Sequence, residues 1–161
     1  MLGIVVREVL RMKKVLIVCL GNICRSPMAE GLMLQYLANS PLQITIDSAG
    51  TSRWEMGSPP HPGTQKILKE HGIDTSQMFS RQITLEDFYV YDWILAMDQQ
   101  NLTDLKRMAP KGTIDKLHLF LSVLPESTIK DVPDPWFTGN FEETYALILQ
   151  ALPKWREIFE R

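Results

Sequence analysis

Cys19 and Arg25, six positions apart, carry the chemistry this sequence most directly suggests. A thiolate attacks electrophiles without a separate base, and a thiol beside a helix N-terminus and a guanidinium ionises more readily than an isolated one. A guanidinium presents a planar fork that fits two phosphoryl oxygens, which an ammonium cannot copy. Between the two lie Leu20, Gly21, Asn22, Ile23 and Cys24. Gly21 and Asn22 tolerate unusual backbone angles, so several N–H groups of this loop can turn to one side. The combination suggests nucleophilic attack on phosphorus. Each residue also has an ordinary role. Cys19 could be a small hydrophobe finishing a strand, and Cys24 a space-filling loop residue. Arg25 could be an exposed charge, although a helix dipole would oppose it there. Ser26 could cap a helix only, or its hydroxyl could also donate to the Cys19 thiolate.

The elements around the loop must place it. Val15-Leu16-Ile17-Val18 is an apolar, β-branched run that suits a strand buried on both faces, and Ser26-Pro27 suits a helix start. Strand, tight loop and helix N-terminus make an anion cradle. It is not a nucleotide loop, because the chain has no GxxxxGK[ST]. The pattern predicts a helix over 26–39 with Ala29, Leu32, Met33, Tyr36 and Leu37 on one face, and a strand over 43–47 leading to Ser48. Residues 51–62, with three prolines and Trp54, read as a loop. A helix over 64–71 ends at Gly72, and Thr84–Asp87 opens a short helix like a capping box. Residues 92–97 read as a strand, Asp98 as the cap of a helix over 99–109, and 114–121 as a fourth strand. Residues 122–139 form a long, proline-punctuated loop, and Asn140 caps a final helix to about Phe159. Its predicted apolar face is Phe141, Tyr145, Ile148, Leu149, Leu152 and Trp155, with a kink expected at Pro153. Alternating strands and helices predict a single α/β domain. Its sheet is mainly parallel, four-stranded and twisted, with helices on both faces in a doubly wound arrangement. Ligands then bind at the carboxyl ends of the strands, where the Cys19 loop, Ser48, Asp98 and the proline loop gather.

Composition narrows the function. A formal net charge of -2 leaves no basic footprint for nucleic acid, so anion recognition must be local. No apolar run is long enough to span a membrane. The two cysteines, Cys19 and Cys24, provide no disulfide framework, which fits a reducing, cytoplasmic setting. The three histidines lack metal-ligand spacing, and no metal or cofactor is called for. Residues 1–12 read as an N-terminal extension, with the domain running over 13–161.

The run from Val18 to Glu30, VCLGNICRSPMAE, resembles the signature of the low-molecular-weight protein tyrosine phosphatases. The similarity extends through Asp47-Ser-Ala-Gly50, His71-Gly-Ile73, Arg81-Gln-Ile-Thr84, Ala96-Met-Asp98 and Asp134-Pro135, covering nearly all of the chain from Lys13. The resemblance implies the phosphotyrosine phosphatase I-like fold and hydrolysis of phosphotyrosine and small aryl phosphates. Cys19 would become a cysteinyl-phosphate, Arg25 would bind the equatorial oxygens, and Asp134 would act as general acid and then base. It further implies that Asn22 is held in a left-handed conformation by Ser26, Ser48 and His71. Trp54, Trp136 and Phe137 would wall the entrance. Cys24 would pair reversibly with Cys19. Phosphotyrosine proteins would be the partners, with phosphate and other oxyanions as product or inhibitors. From the residues alone, Asp134 is a turn residue between two prolines and His71 a residue before a helix-ending glycine. The nearest rival, a thiol-type arsenate reductase, would need further cysteines in a distal segment, and none follows Cys24. A phosphate-sensing module with a vestigial site is the non-enzymatic alternative.

Overall fold

A computed structural model describes residues 12–126 and 129–161. The expected extension therefore lies almost wholly outside the described residues. Four parallel strands, β1 (Lys13–Cys19), β2 (Ile44–Gly50), β3 (Trp93–Ala96) and β4 (Leu117–Leu119), form one sheet in the order β2-β1-β3-β4. The central strand β1 is the apolar run read from the sequence, and Val15 to Val18 are fully buried. Alternation along it divides the core in two. Val15, Ile17 and Cys19 face helices α1 (Arg25–Leu37), α2 (Pro62–Glu70) and α6 (Phe141–Phe159), while Leu16 and Val18 face α3 (Asp87–Val90) and α4 (Gln99–Met108). Parallel strands covered on both faces account for the unbroken apolar sequence of β1.

Several boundaries depart from the sequence reading for local reasons. Helix α1 begins at Arg25, with Cys24 at the cap position and no side-chain cap, so Ser26 lies inside the helix rather than capping it. Tyr36 is exposed and lies beneath the Arg156 guanidinium, whereas Met28 joins the buried face. Ser48 lies within β2, paired with Ile17, rather than after the strand. The 114–121 region contains only a three-residue strand between two 3-10 turns, Ile114–Lys116 and Phe120–Val123. The second turn sends Phe120 and Leu121 into the core, where the Phe120 carbonyl accepts from Trp155 Nε1 at 2.7 Å. The proline loop likewise contains a short helix, α5 (Pro135–Thr138), capped by Asp134 and ended by Gly139 at φ +71°. In α6, Leu149 is exposed and Ala151 and Phe159 are buried instead; the helix continues through Pro153. Asp98 and Asn140 cap α4 and α6 as the sequence indicates. Thr84 and Asp87 form a reciprocal box: the Thr84 N–H donates to Asp87 Oδ2 (2.7 Å) and the Asp87 N–H to Thr84 Oγ1 (3.4 Å).

The sheet delivers the site residues by register. Cys19 ends β1 beside Gly50 of β2, and Val18 pairs with Ala96 of β3, two residues before Asp98. At Gly50 an added Cβ would lie 2.7 Å from the Leu20 carbonyl oxygen and 3.3 Å from Asn22 Cβ, so only glycine lets β2 approach the loop this closely. Gly50→Ala should therefore lower stability by about 1–3 kcal/mol through overpacking. Urea unfolding checks this, and an unchanged midpoint would mean the loop yields freely.

Candidate active site

The loop from Cys19 to Arg25 is shaped mainly by where its carbonyls go. Cys19 O accepts from the Thr51 N–H (2.9 Å), and Leu20 O from the Ser52 N–H and hydroxyl (both 3.0 Å). Gly21 O accepts from Ser80 Oγ (2.8 Å), Ile23 O from the His61 N–H (2.8 Å) and Cys24 O from Thr64 Oγ1 (2.9 Å). In a trans peptide unit the N–H points opposite to the C=O. Drawing these carbonyls into the surrounding protein thus turns the partner N–H groups inward. The Asn22 N–H, directed to Cys19 Sγ at 3.2 Å, shows the outcome.

Asn22 fixes the turn. It is the only described non-glycine residue with positive φ, at +57°, a conformation asparagine adopts more readily than most residues. Its Nδ2 donates to Ser26 Oγ (2.8 Å) and Ser48 Oγ (2.9 Å), and its Oδ1 accepts from the Arg81 N–H (3.0 Å). With Asn22 donating to it, Ser26 Oγ is free to turn its own proton toward Cys19 Sγ, 3.0 Å away. Ser48 in turn donates to Glu30 Oε1 at 2.6 Å. Ser26 and Ser48 thus stand where the resemblance placed them. His71 does not: its ring bonds to Tyr145 OH (2.6 Å) and Ile67 O (2.9 Å), tying α2 to α6. The positions that the sequence reading missed are Glu30 and the Arg81 backbone. Burial, reinforced by the charge of Asp47, pushes the Glu30 carboxyl above its ordinary range despite the Ser48 hydrogen bond.

Arg25 is buried, with a side chain 2% exposed. Nη1 donates to Asp98 Oδ2 (2.5 Å) and Val132 O (3.0 Å), and Nη2 to Asp134 Oδ2 (3.3 Å). Burial alone would favour a neutral guanidine, but charge at Cys19 and the Asp98 and Asp134 carboxylates outweigh it, so the guanidinium is held charged. Its Nε is buried with no hydrogen-bond partner among the described residues. That leaves a charged donor for an oxyanion beside the loop N–H groups. Asp98 was legible only as a helix cap, and it serves both ends: Oδ1 accepts from the Asn101 N–H (2.7 Å) while Oδ2 holds Arg25.

The cradle opens into a cleft of about 160 Å³. Cys19, Leu20, Gly21, Ile23, Cys24 and Arg25 form its floor, and Trp54, Glu55, Asp134, Trp136 and Phe137 stand around it. Trp54 and Phe137 are among the most exposed large side chains described, at 79% and 77%. Asp134 reaches the cleft because Pro135 starts α5 directly after it: Oδ1 caps that helix by accepting from the Trp136 N–H (3.1 Å), leaving Oδ2 beside Arg25. Cys24 lines the same cleft as a free thiol. Burial, then negative charge at Cys19 and Asp134, pushes the Cys24 thiol up to about 12, so it stays protonated at neutral pH.

Behind Asn22, Arg81 forms a two-pronged ion pair with Asp87 (2.8 and 3.1 Å). Burial pushes the Asp87 carboxyl up, but the Arg81 hydrogen bond and charge and the Thr84 N–H together hold it below the ordinary aspartate range. A carboxyl depressed in the folded state contributes stability above its unfolded pKa, near 3.9, and loses it as pH falls through the folded value. Asp87→Asn should accordingly be less stable than wild type at pH 7, with the gap closing below about pH 4. Thermal unfolding between pH 3 and 7 measures it, and a pH-independent gap would show that charge plays no part.

A family model described as low molecular weight phosphotyrosine protein phosphatase matches residues 14–161. The chain is 45% identical over 139 residues to the low molecular weight protein-tyrosine-phosphatase YfkJ of Bacillus subtilis, covering 85% of this chain and 89% of that one. It is 47% identical over 143 residues to PtpA of Staphylococcus aureus strain MRSA252, covering 87% and 89%. The crystal structure of B. subtilis YfkJ superposes with a TM-score of 0.89 at 41% identity, over 93% of this chain and 96% of that one. Agreement of this extent, through sheet, loop and helices alike, makes the chain a member of the low molecular weight phosphotyrosine protein phosphatase family.

Proposed function

We propose that this chain hydrolyses phosphotyrosine in protein substrates, and small aryl phosphates, through a cysteinyl-phosphate on Cys19. The observation that carries the reading is that a buried, charged Arg25 touches both Asp98 and Asp134 at the mouth of the loop that holds the Cys19 sulfur. Cys19 Sγ attacks phosphorus in line, the S–P bond forms and the P–O bond to the phenol breaks. The loop N–H groups and the Arg25 fork take up the charge on the equatorial oxygens. Asp134 delivers its proton to the departing phenolate oxygen. Water then attacks phosphorus and gives its proton to Asp134, the S–P bond breaks, and the thiolate and inorganic phosphate are released. Ser26 and the Asn22 N–H both lie within hydrogen-bond reach of the sulfur, beside it as it attacks and as it leaves. No step calls for a metal.

The aromatic rim gives the reading its substrate class. Trp54, Trp136 and Phe137 form flat, apolar walls above a floor sized for one anion, an environment that suits an aryl ring. Phosphate and other oxyanions then bind as product or inhibitors. Nucleic acid is disfavoured by the net charge of -2, and no described helix is long and apolar enough to cross a membrane. A cytoplasmic setting fits a mechanism that depends on a free thiol at Cys19. The catalytic domain is assigned to 13–161, with 1–12 an extension to it; β1 begins at Lys13 and the family match at residue 14.

Acid quench of a single turnover with a labelled phosphotyrosine peptide should trap a phosphoenzyme. None in wild type or Asp134→Ala would overturn the mechanism. Cys19→Ser should abolish turnover while still binding inorganic phosphate, and Asp134→Asn should lower kcat/KM about 10²–10⁴-fold on weakly acidic phenols. Turnover retained in Cys19→Ser would identify another nucleophile.

A further inference from the structure

Nothing in the assigned chemistry uses His61, yet it touches both the phosphate loop and the segment that follows Asp134. Its backbone N–H donates to the Ile23 carbonyl in the phosphate loop (2.8 Å). Its Nδ1 accepts from the Gly63 N–H (3.0 Å), capping α2, and its carbonyl accepts from the Gln65 N–H (2.9 Å). The residue is therefore fixed to the cradle by its main chain and to the first turn of α2 by its ring. The free faces of that ring meet the other half of the site. Phe141, the first residue of α6, stacks on it with centroids 4.8 Å apart and planes at 24°, and Trp136 meets it edge-on at 5.8 Å. Trp136 lies two residues after Asp134, and its own N–H is the donor that orients the Asp134 carboxylate. The packing of Phe141 against Gly63 is just as close. A Cβ at Gly63 would lie 2.6–2.7 Å from three carbons of the Phe141 ring. The start of α6 is thus wedged between His61 and the first turn of α2, and the segment carrying Asp134 ends at that wedge.

We infer that His61 is a positioning residue for general acid catalysis: its ring, held at the N-terminus of α2 by a residue whose backbone is bonded to the phosphate loop, sets the placement of Asp134 over the cleft through Trp136 and Phe141. The inference rests on Asp134 being the acid, as proposed above. Its ring acts on the protonation of the leaving group and leaves the cradle itself intact, because the cradle is held through His61's backbone, which any residue supplies.

Leaving-group dependence of kcat/KM separates these effects, since that ratio covers steps only through departure of the phenol. An acid in place makes the rate nearly independent of leaving-group acidity; a misplaced acid penalises weakly acidic phenols and spares nitrophenols. His61→Asn keeps a cap acceptor but removes the ring. It should lose about 10- to 100-fold on alkylphenyl phosphates and less than about threefold on nitrophenyl phosphate, with unchanged phosphate inhibition. His61→Phe restores the ring without the cap, so it should recover the flat dependence at a lower Tm. Gly63→Ala, whose Cβ would collide with the Phe141 ring, should steepen the dependence as His61→Asn does. Asp134→Asn is the reference. A flat dependence in Asp134→Asn would overturn the acid assignment itself. A steep dependence there, with equal losses across leaving groups in His61→Asn and Gly63→Ala, would overturn the role of His61 alone.

Discussion

The burial of the Arg25 guanidinium is the constraint to which the rest of the site answers. A cation taken out of water costs several kcal/mol unless its donors are met and its charge is balanced. Arg25 is 2% exposed, and the groups that meet it come from distant parts of the chain: Asp98 after β3, and Val132 and Asp134 from the loop before α5. Satisfying one side chain therefore draws two distant segments to the carboxyl edge of the sheet. The Val132 N–H donates to Met97 O (2.9 Å), which clamps the same loop against the end of β3. The arrangement that balances the charge is also the one that brings a carboxylate to the mouth of the cradle. Stability and catalysis make the same demand here.

A second constraint is the backbone of Asn22. A positive φ is costly for a residue with a Cβ and persists only where the surroundings over-determine it. Here the side chain makes three hydrogen bonds, to Ser26, Ser48 and the Arg81 backbone. The network continues to Glu30 on one side and to Cys19 on the other. A lone loop of glycines could adopt the same turn, but it would do so among many others. Asn22 trades that freedom for a single conformation in which the N–H groups are directed before any anion arrives, which is what preorganised charge stabilisation requires.

The two thiols of the loop show how sharply environment divides like groups. Cys19 Sγ has the Asn22 N–H and the Ser26 hydroxyl within hydrogen-bond reach. Cys24, five residues on, is buried without such donors and beside negative charge, so its thiol is pushed up to about 12. The same side chain meets hydrogen-bond donors in one place and stays a buried, protonated thiol in the other. Cys24 also stands at the cap position of α1 without capping it, which leaves the helix N-terminus open to the cradle.

Much of this was legible in the sequence, because its causes are local. The apolar run of β1, the Gly-Asn turn, the caps at Asp98 and Asn140, and the prolines flanking Asp134 each follow from side chains acting on their own backbone. The parallel sheet follows from the alternation of such elements. What failed failed for want of neighbours. Tyr36 and Leu149 have the right helical spacing and yet are exposed, Tyr36 lying beneath Arg156 at the surface. His71 carries a motif but bonds to Tyr145, because it lies at the end of α2 that packs on α6, while the start of that helix meets the loop. Glu30 and the Arg81 backbone had no sequence signal at all as supports of Asn22, and Asp98 signalled only half its role. By itself, then, the sequence determined the nucleophile, the loop and the order of elements, since short-range sterics and hydrogen bonds act along the chain. Only the tertiary structure decided which carboxylates hold Arg25 and what pins Asn22, because burying a charge or a strained turn is settled by groups that meet across the fold.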